Sequence, residues 1–351
     1  ADSSGFHEDV DRPYAWRYRD YVIQSFNDDK PYAQFVIEQL AGDEFAPDDP
    51  AAWIATGFCR NGPTNDTNMG KGLAKEKYRL DLLDDVIATT SAVFLGQTIA
   101  CARCHDHKYD PIAQTDYYRL LAVFDNSTRV TMGVNDSGLP VPPVSKSKQD
   151  DKQPDGPGPS IMALTNAGGA PQVTHLLWRG DVANRGPAVE PGVPAVFAQT
   201  WPAIPTSFQN DASAGRRLAL AEWISCAENP LTWRVATGEA PTHPELLDWL
   251  ARFLLANDGP WKPVHRLIVT SNVYRQSTRP ASPTADPHNA LWSRMNLQRL
   301  EAEILRDAIL AVAGSLNETV GGPGVKPRIR SELLVASQRN KWPNVKQEGP
   351  E

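Results

Sequence analysis

The stretch "YRLDLLDDVIATTSAVFLGQTIACARCHDH", Tyr78 to His107, decides how the first third of the chain folds. Leu82, Leu83, Val86, Ile87, Thr90, Val93 and Phe94 follow the i, i+3, i+4, i+7 spacing of one buried helical face. The spacing predicts a long helix that delivers the chain directly into Cys101. Upstream, "RPYAWRYRDYVIQSFN" sets Trp16, Tyr18, Tyr21, Val22, Ser25 and Phe26 at helical spacing behind a proline, and "KPYAQFVIEQLAGD" repeats the device with Pro31 at its start and Gly42 as its stop. Downstream, "TDYYRLLAVFDN" reads as a further helix with Thr115 as its cap.

Beyond about Thr131 the pattern changes to short β-like pieces among prolines, including "VTHLLWRGD" (Val173 to Asp181) and "GVPAVFA" (Gly192 to Ala198). Helical periodicity returns in "GRRLALAEWISCAEN", "THPELLDWLARFLLAN", "WKPVHRLIVTSNVYRQ" and "MNLQRLEAEILRDAILAVAGSL". In the last of these Leu297, Leu300, Ile304 and Leu305 share one face and Gly314 is the expected stop. The fold class that follows is mainly α: two helical domains joined by a Pro-rich segment with a few short β-strands. The expected divisions are an N-terminal helical domain over 1–130, a Pro/Gly-rich linker with a small β element over 131–210, a C-terminal helical domain over 211–322, and a weakly structured tail over 323–351.

Composition narrows the function classes. With 351 residues, 41% hydrophobic and 22% charged, the chain can bury cores of its own without a disulfide scaffold. A net charge of −7 and a pI near 5.6 exclude a general nucleic-acid binder, whose affinity rests on a basic surface. The apolar runs are too short to cross a bilayer. The opening "ADSSGFHEDVDRPYAWRYRD" has no initiator Met and no apolar signal core, so the chain reads as a fragment or processed piece.

Chemistry concentrates in "CARCHDHKYDP", Cys101 to Pro111, which holds two of the four cysteines and two of the seven histidines. Cys-x-x-Cys-His places two thiols one short turn apart, so that both can form thioethers with the vinyl groups on one edge of a haem, while the adjoining His105 offers a nitrogen to the iron. A zinc reading has Cys101, Cys104 and one of His105 or His107, and needs a fourth ligand such as Cys59 or Cys226 that only the fold could bring. A dithiol role is the third reading. Haem c attached through Cys101 and Cys104, with His105 as proximal ligand, leads; zinc is the alternative cofactor. Met69 and Met132 are the candidate distal ligands, and His107 is expected to project away from the iron bound by His105. Arg103 and Lys108 could meet propionates or face solvent, and Asp106 or the backbone near Asp110 could accept the ring N–H of His105.

These segments together resemble the planctomycete cytochrome c-type proteins, which link two domains of unknown function, the first carrying the Cys-x-x-Cys-His motif. The resemblance rests on "ADSSGFHEDVDRPYAWRYRDYVIQSFNDDKPYAQFVIEQLAGDE" and "LDDVIATTSAVFLGQTIACARCHDHKYDPIAQTDYYRLLAVF" for the first domain. For the second it rests on "GRRLALAEWISCAENPLTWRV", "PTHPELLDWLA", "HRLIVTSNVYRQST" and "ADPHNALWSRMNLQRLEAEILRDAILAVAGSLNETVGGPGV". Relative to that family, a segment between Val235 and Ala236 is missing. The resemblance implies export to the periplasm or cell envelope and haem at Cys101, Cys104 and His105, and it implies no reaction.

The expectation is therefore a c-type haem protein exchanging electrons with a redox partner or other envelope protein. The alternative is an extracellular polysaccharide-related enzyme or binding protein with zinc or a dithiol at the motif. It is suggested by Asp2, Glu8, Asp9 and Asp11 beside Arg12, Trp16 and Arg17, and by His175, Arg179 and Asp181.

Overall fold

A computed structural model describes residues 12–64, 70–133, 160–168, 172–200, 215–226, 229, 243–256, 261–279 and 286–323. Among them are nine α-helices and two small antiparallel sheets of two strands each, so the chain is mainly α. Contacts divide it into two compact units, residues 1–264 and 265–351. Among the described residues no helix is long and apolar enough to cross a membrane. The tail beyond residue 323, the junction at Val235, and Met69 lie outside the described residues.

In the first unit α1 (Trp16–Asn27) and α2 (Tyr32–Phe45) form where the prolines and apolar spacing place them. Gly42 does not stop α2. The helix kinks at Ala41 and runs on to Phe45, and a side chain at Gly42 would collide with the Ala52 carbonyl at 1.9 Å. The glycine is there for the close approach of α3 (Pro50–Ala55), which Asp49 caps by accepting from the Ala51 N–H at 2.9 Å.

The long helix divides. α4 (Leu73–Thr90) passes into a π turn over Ser91–Leu95, ended by Gly96 in the left-handed region at φ 62°. The wider π turn shifts the helical phase by one residue. Val93, expected inside, is therefore 59% exposed, while Phe94 and Leu95 are buried. The chain reaches Cys101 through a separate 3-10 turn, Ile99–Arg103.

α5 (Gln114–Phe124) carries the centre of the core: Tyr117, Tyr118, Leu121 and Phe124 are buried with Leu40, Ile87 and Ile99. Thr115 lies inside α5 and is not its cap; Asp116 reaches back to the Ala113 N–H at 2.9 Å, and Asp106 accepts from the Gln114 N–H at 2.7 Å. Strands β1 (Ser127–Gly133) and β2 (Ser160–Asn166) pair with Met132 opposite Ile161, and β2 lies against α3 and the 3-10 turn Thr56–Arg60. Strand β3 (His175–Leu177) pairs with β4 (Arg185–Ala188). "GVPAVFA" is no strand: Pro194 opens a 3-10 turn in which Phe197 N–H donates to its carbonyl.

Helix α6 (Arg216–Ser225), grouped by sequence with the C-terminal helices, packs on α2 and adds Leu220, Trp223 and Ile224 to this core. Arg217, with no exposed surface, forms a fork to Asp43 at 2.7 and 2.8 Å and meets Glu44 at 3.1 Å. Next come α7 (Pro244–Ala256) and α8 (Trp261–Thr270), whose first two N–H groups donate to the Asp29 carboxylate at 2.7 and 3.0 Å. In the second unit α9 (Ala302–Val312) starts later than its apolar spacing suggests, leaving Leu297 outside the helix and 86% exposed, and it is closed by Gly314 at φ 69°.

Candidate cofactor-attachment site

The 3-10 turn explains how the motif presents its thiols. With three residues per turn, positions i and i+3 eclipse. Ile99 and Ala102 form one such pair and are 1% and 0% exposed, plugging the turn into the core beside α4 and α5. Cys101, within the turn, and Cys104, the residue after it, are also three apart, and both are exposed. Cys104 closes the turn, its N–H donating to the Cys101 carbonyl at 3.4 Å. Both sulfurs are free thiols, as is that of Cys59.

His105 follows on the exposed side. Its Nδ1 lies 2.7 Å from the Asp106 carbonyl oxygen. A carbonyl can only accept, so Nδ1 carries the proton and Nε2 keeps the lone pair a metal ligand needs. His107 is used differently: its Nδ1 accepts from the Asp110 N–H at 2.9 Å and its own N–H donates to the Ile112 carbonyl at 2.8 Å, folding 107–112 into a closed loop.

Arg103 is mostly covered, its side chain 17% exposed, and is engaged by carboxylates of the chain itself. It reaches α4, 2.5 Å from Asp81 and 3.1 Å from Asp84, and so fixes the turn to the helix before it. Burial opposes its charge, but the hydrogen bond to Asp81 and the neighbouring Tyr117, Asp84 and Asp81 outweigh this and hold it above the ordinary arginine value. The Arg103 carbonyl accepts from Gln114 Nε2 and from the Tyr118 hydroxyl, both at 2.9 Å. Burial pushes the Tyr118 phenol up to about 12, with Arg103 opposing and Cys104 adding.

The remaining candidates sit on other elements. Met132 is 3% exposed within the hairpin that packs on the Thr56–Arg60 turn. Cys59 is buried and donates to the Gln39 carbonyl at 3.7 Å, and Cys226 lies near the Trp223 carbonyl at 3.2 Å. Among the described residues no three His, Cys, Asp or Glu side chains converge as a metal set.

Of the suggested polysaccharide cluster, Asp2, Glu8, Asp9 and Asp11 are outside the described residues. Arg12 is spent on the carbonyls of Arg60 and Gly62, and Asp181 accepts from the Ala183 N–H in a turn. Trp16 and Arg17 border an open cleft of about 390 Å³ along α1. Sequence reasoning missed Gln114, Tyr118 and Gly180 as neighbours of the motif; only the glycine in "WRGD" carried a signal, as a turn residue.

The donor set has the chemistry a haem held through two thioethers and one nitrogen needs: two exposed thiols and an exposed imidazole with its lone pair on Nε2. Residues 1–129 match the family model described as PSCyt2, protein of unknown function (DUF1549), and residues 236–348 match that described as PSD1, protein of unknown function (DUF1553). No curated protein and no solved structure matches the chain. The chain thus matches the models of two domains of unknown function that are commonly paired in planctomycete proteins, and the Cys-x-x-Cys-His turn lies inside the first match.

Proposed function

We propose that Cys101 and Cys104 hold a haem c by thioether bonds, with His105 Nε2 as its proximal ligand, and that the protein exchanges electrons with a redox partner in the periplasm or cell envelope. The observation that carries this is the 2.7 Å bond from His105 Nδ1 to the Asp106 carbonyl, which sets the tautomer of an exposed imidazole directly after two exposed thiols. When bound, haem supplies one-electron exchange at its iron. The chain's own part is positional: Ile99 and Ala102 seat the turn, Arg103 ties it to α4, and Asp106 orients the imidazole while capping α5.

Zinc is favoured less, because it takes four ligands and the motif supplies three. The test is expression in an exporting host with c-type haem maturation, followed by haem staining on a denaturing gel. Wild type is expected to stain and Cys101→Ala/Cys104→Ala to be blank. A wild-type chain without covalent haem but with stoichiometric zinc would sink the reading.

A further inference from the structure

The hairpin β3–β4, 70 residues and more beyond the motif, is joined to it by a clamp. Gln114 Nε2 donates to the carbonyls of both Arg103 (2.9 Å) and Leu177 (2.8 Å), and the Tyr118 hydroxyl lies 2.9 and 3.3 Å from the same two oxygens. Directly after Leu177 the chain makes a 3-10 turn, Trp178–Gly180, in which Arg179 and Gly180 are both left-handed, at φ 58° and 72°. Left-handed backbone is costly for an arginine, so the turn holds that shape because the clamp and the Trp178 N–H to Asn184 carbonyl bond at 3.0 Å over-determine it. The result is that Gly180 faces Cys104. A Cβ on Gly180 would lie 2.9 Å from Cys104 Sγ, closer than van der Waals contact allows.

We propose that Gly180 is a positioning residue for the Cys-x-x-Cys-His site: the bare edge of the Trp178–Gly180 turn sets where the Cys104 sulfur stands, and Cys101 is left to the motif turn alone. The proposal rests on the haem reading for its purpose but not for its test. With any side chain at 180, the added carbon and the sulfur compete for one place. The sulfur must rotate, since the other nearby atoms, Arg103 Cγ and carbonyl oxygen, lie 3.6 Å away and leave the carbon its position. Cys104 therefore loses the placement that a thioether beside Cys101 requires.

The experiment uses the full chain without haem, alkylated with iodoacetamide and followed by peptide mapping so that each cysteine reports separately. In Gly180→Ala, and in Gly180→Asn, which tolerates left-handed backbone better, the Cys104 rate relative to Cys101 is expected to fall by about threefold or more. Gly168→Ala is the control, because Gly168 is equally left-handed at φ 74° and a Cβ there meets nothing within 4 Å. Its ratio is expected to match wild type. An unchanged ratio in folded Gly180 variants overturns the proposal. So does collapse of both variants while Gly168→Ala folds, since the glycine would then be a folding requirement.

In the haem-maturing host the Gly180 variants are expected to carry haem through Cys101 alone, read as a single thioether by mass spectrometry. If wild type takes up no haem while the alkylation ratio still falls, the proposed function fails and the positioning role stands.

Discussion

Cys59 shows what burial alone does to a thiol. It is enclosed beneath α2, and its sulfur has one acceptor, the Gln39 carbonyl at 3.7 Å. Burial pushes it from 9.0 to about 12, opposed by Arg217 and helped by Asp43 and Asp85. Between those values the unfolded chain releases this proton and the folded chain keeps it, so the folded state binds more protons and stability falls as pH rises from 9.0 to about 12. Cys59→Ala is expected to flatten that loss in urea titrations, at a packing cost of about 1 kcal/mol near neutrality. Equal alkaline slopes in both proteins would count against it; Tyr118 titrates in the same range but is present in each. At this scale the legible residues are those whose chemistry needs local spacing. Cys101, Cys104 and His105 stand out because thioether attachment is written into five consecutive positions. Gln114 reaches the motif through the Arg103 carbonyl and ties it to Leu177, 63 residues on, and Gly180 reaches it only through the fold; in sequence Gln114 carries no mark and Gly180 reads only as a turn residue.

Between elements the strongest tie is the buried fork from α6 to α2. Arg217 has two carboxylates against it, and burial raises the Glu44 carboxyl above its usual range even though Arg217 pulls it down. Arg217→Ala leaves Asp43 and Glu44 buried without a countercharge, which is expected to cost about 3–5 kcal/mol. The sign with pH follows. Without Arg217 the folded-state Glu44 holds its proton to still higher pH than the unfolded chain does, so stability of the variant falls as pH rises through that interval. Chemical denaturation should find Arg217→Ala closer to wild type at pH 5 than at pH 8, and a deficit that widens on acidification would contradict this. Helix existence was legible because apolar spacing encodes it. Gly42 and Val93 were misread for tertiary reasons: the Ala52 carbonyl, which a Cβ would meet at 1.9 Å, demands the glycine inside α2, and a π turn moves the phase of α4. The α2–α6 pairing was hidden because the arginine and carboxylates that make it look like surface charges in sequence.

Over the whole molecule burial is uneven, and this bears on which parts are stable. Among the described residues no apolar side chain beyond Val264 is buried, whereas the first unit encloses α5 almost completely. Helix α9 has 11 residues, and its apolar positions Ile304, Leu305, Ile309 and Val312 are 51%, 51%, 61% and 92% exposed. Isolated helices of fewer than about 12–15 residues are marginal in water, and in proteins a helix gains most of its stability from the face it buries. Among the described residues α9 has backbone hydrogen bonds and a Gly314 stop but no such face, so its opening should cost little, while α5 should open only with the first unit's core. Amide hydrogen exchange on the full chain at high dilution is expected to find the central amides of α9 at least about a hundredfold faster than those of α5. Protection of α9 that grows with protein concentration would mean that a second copy covers its apolar face. Protection equal to that of α5 at every dilution would require burial that the fold does not give it, and the account of the second unit would then be wrong.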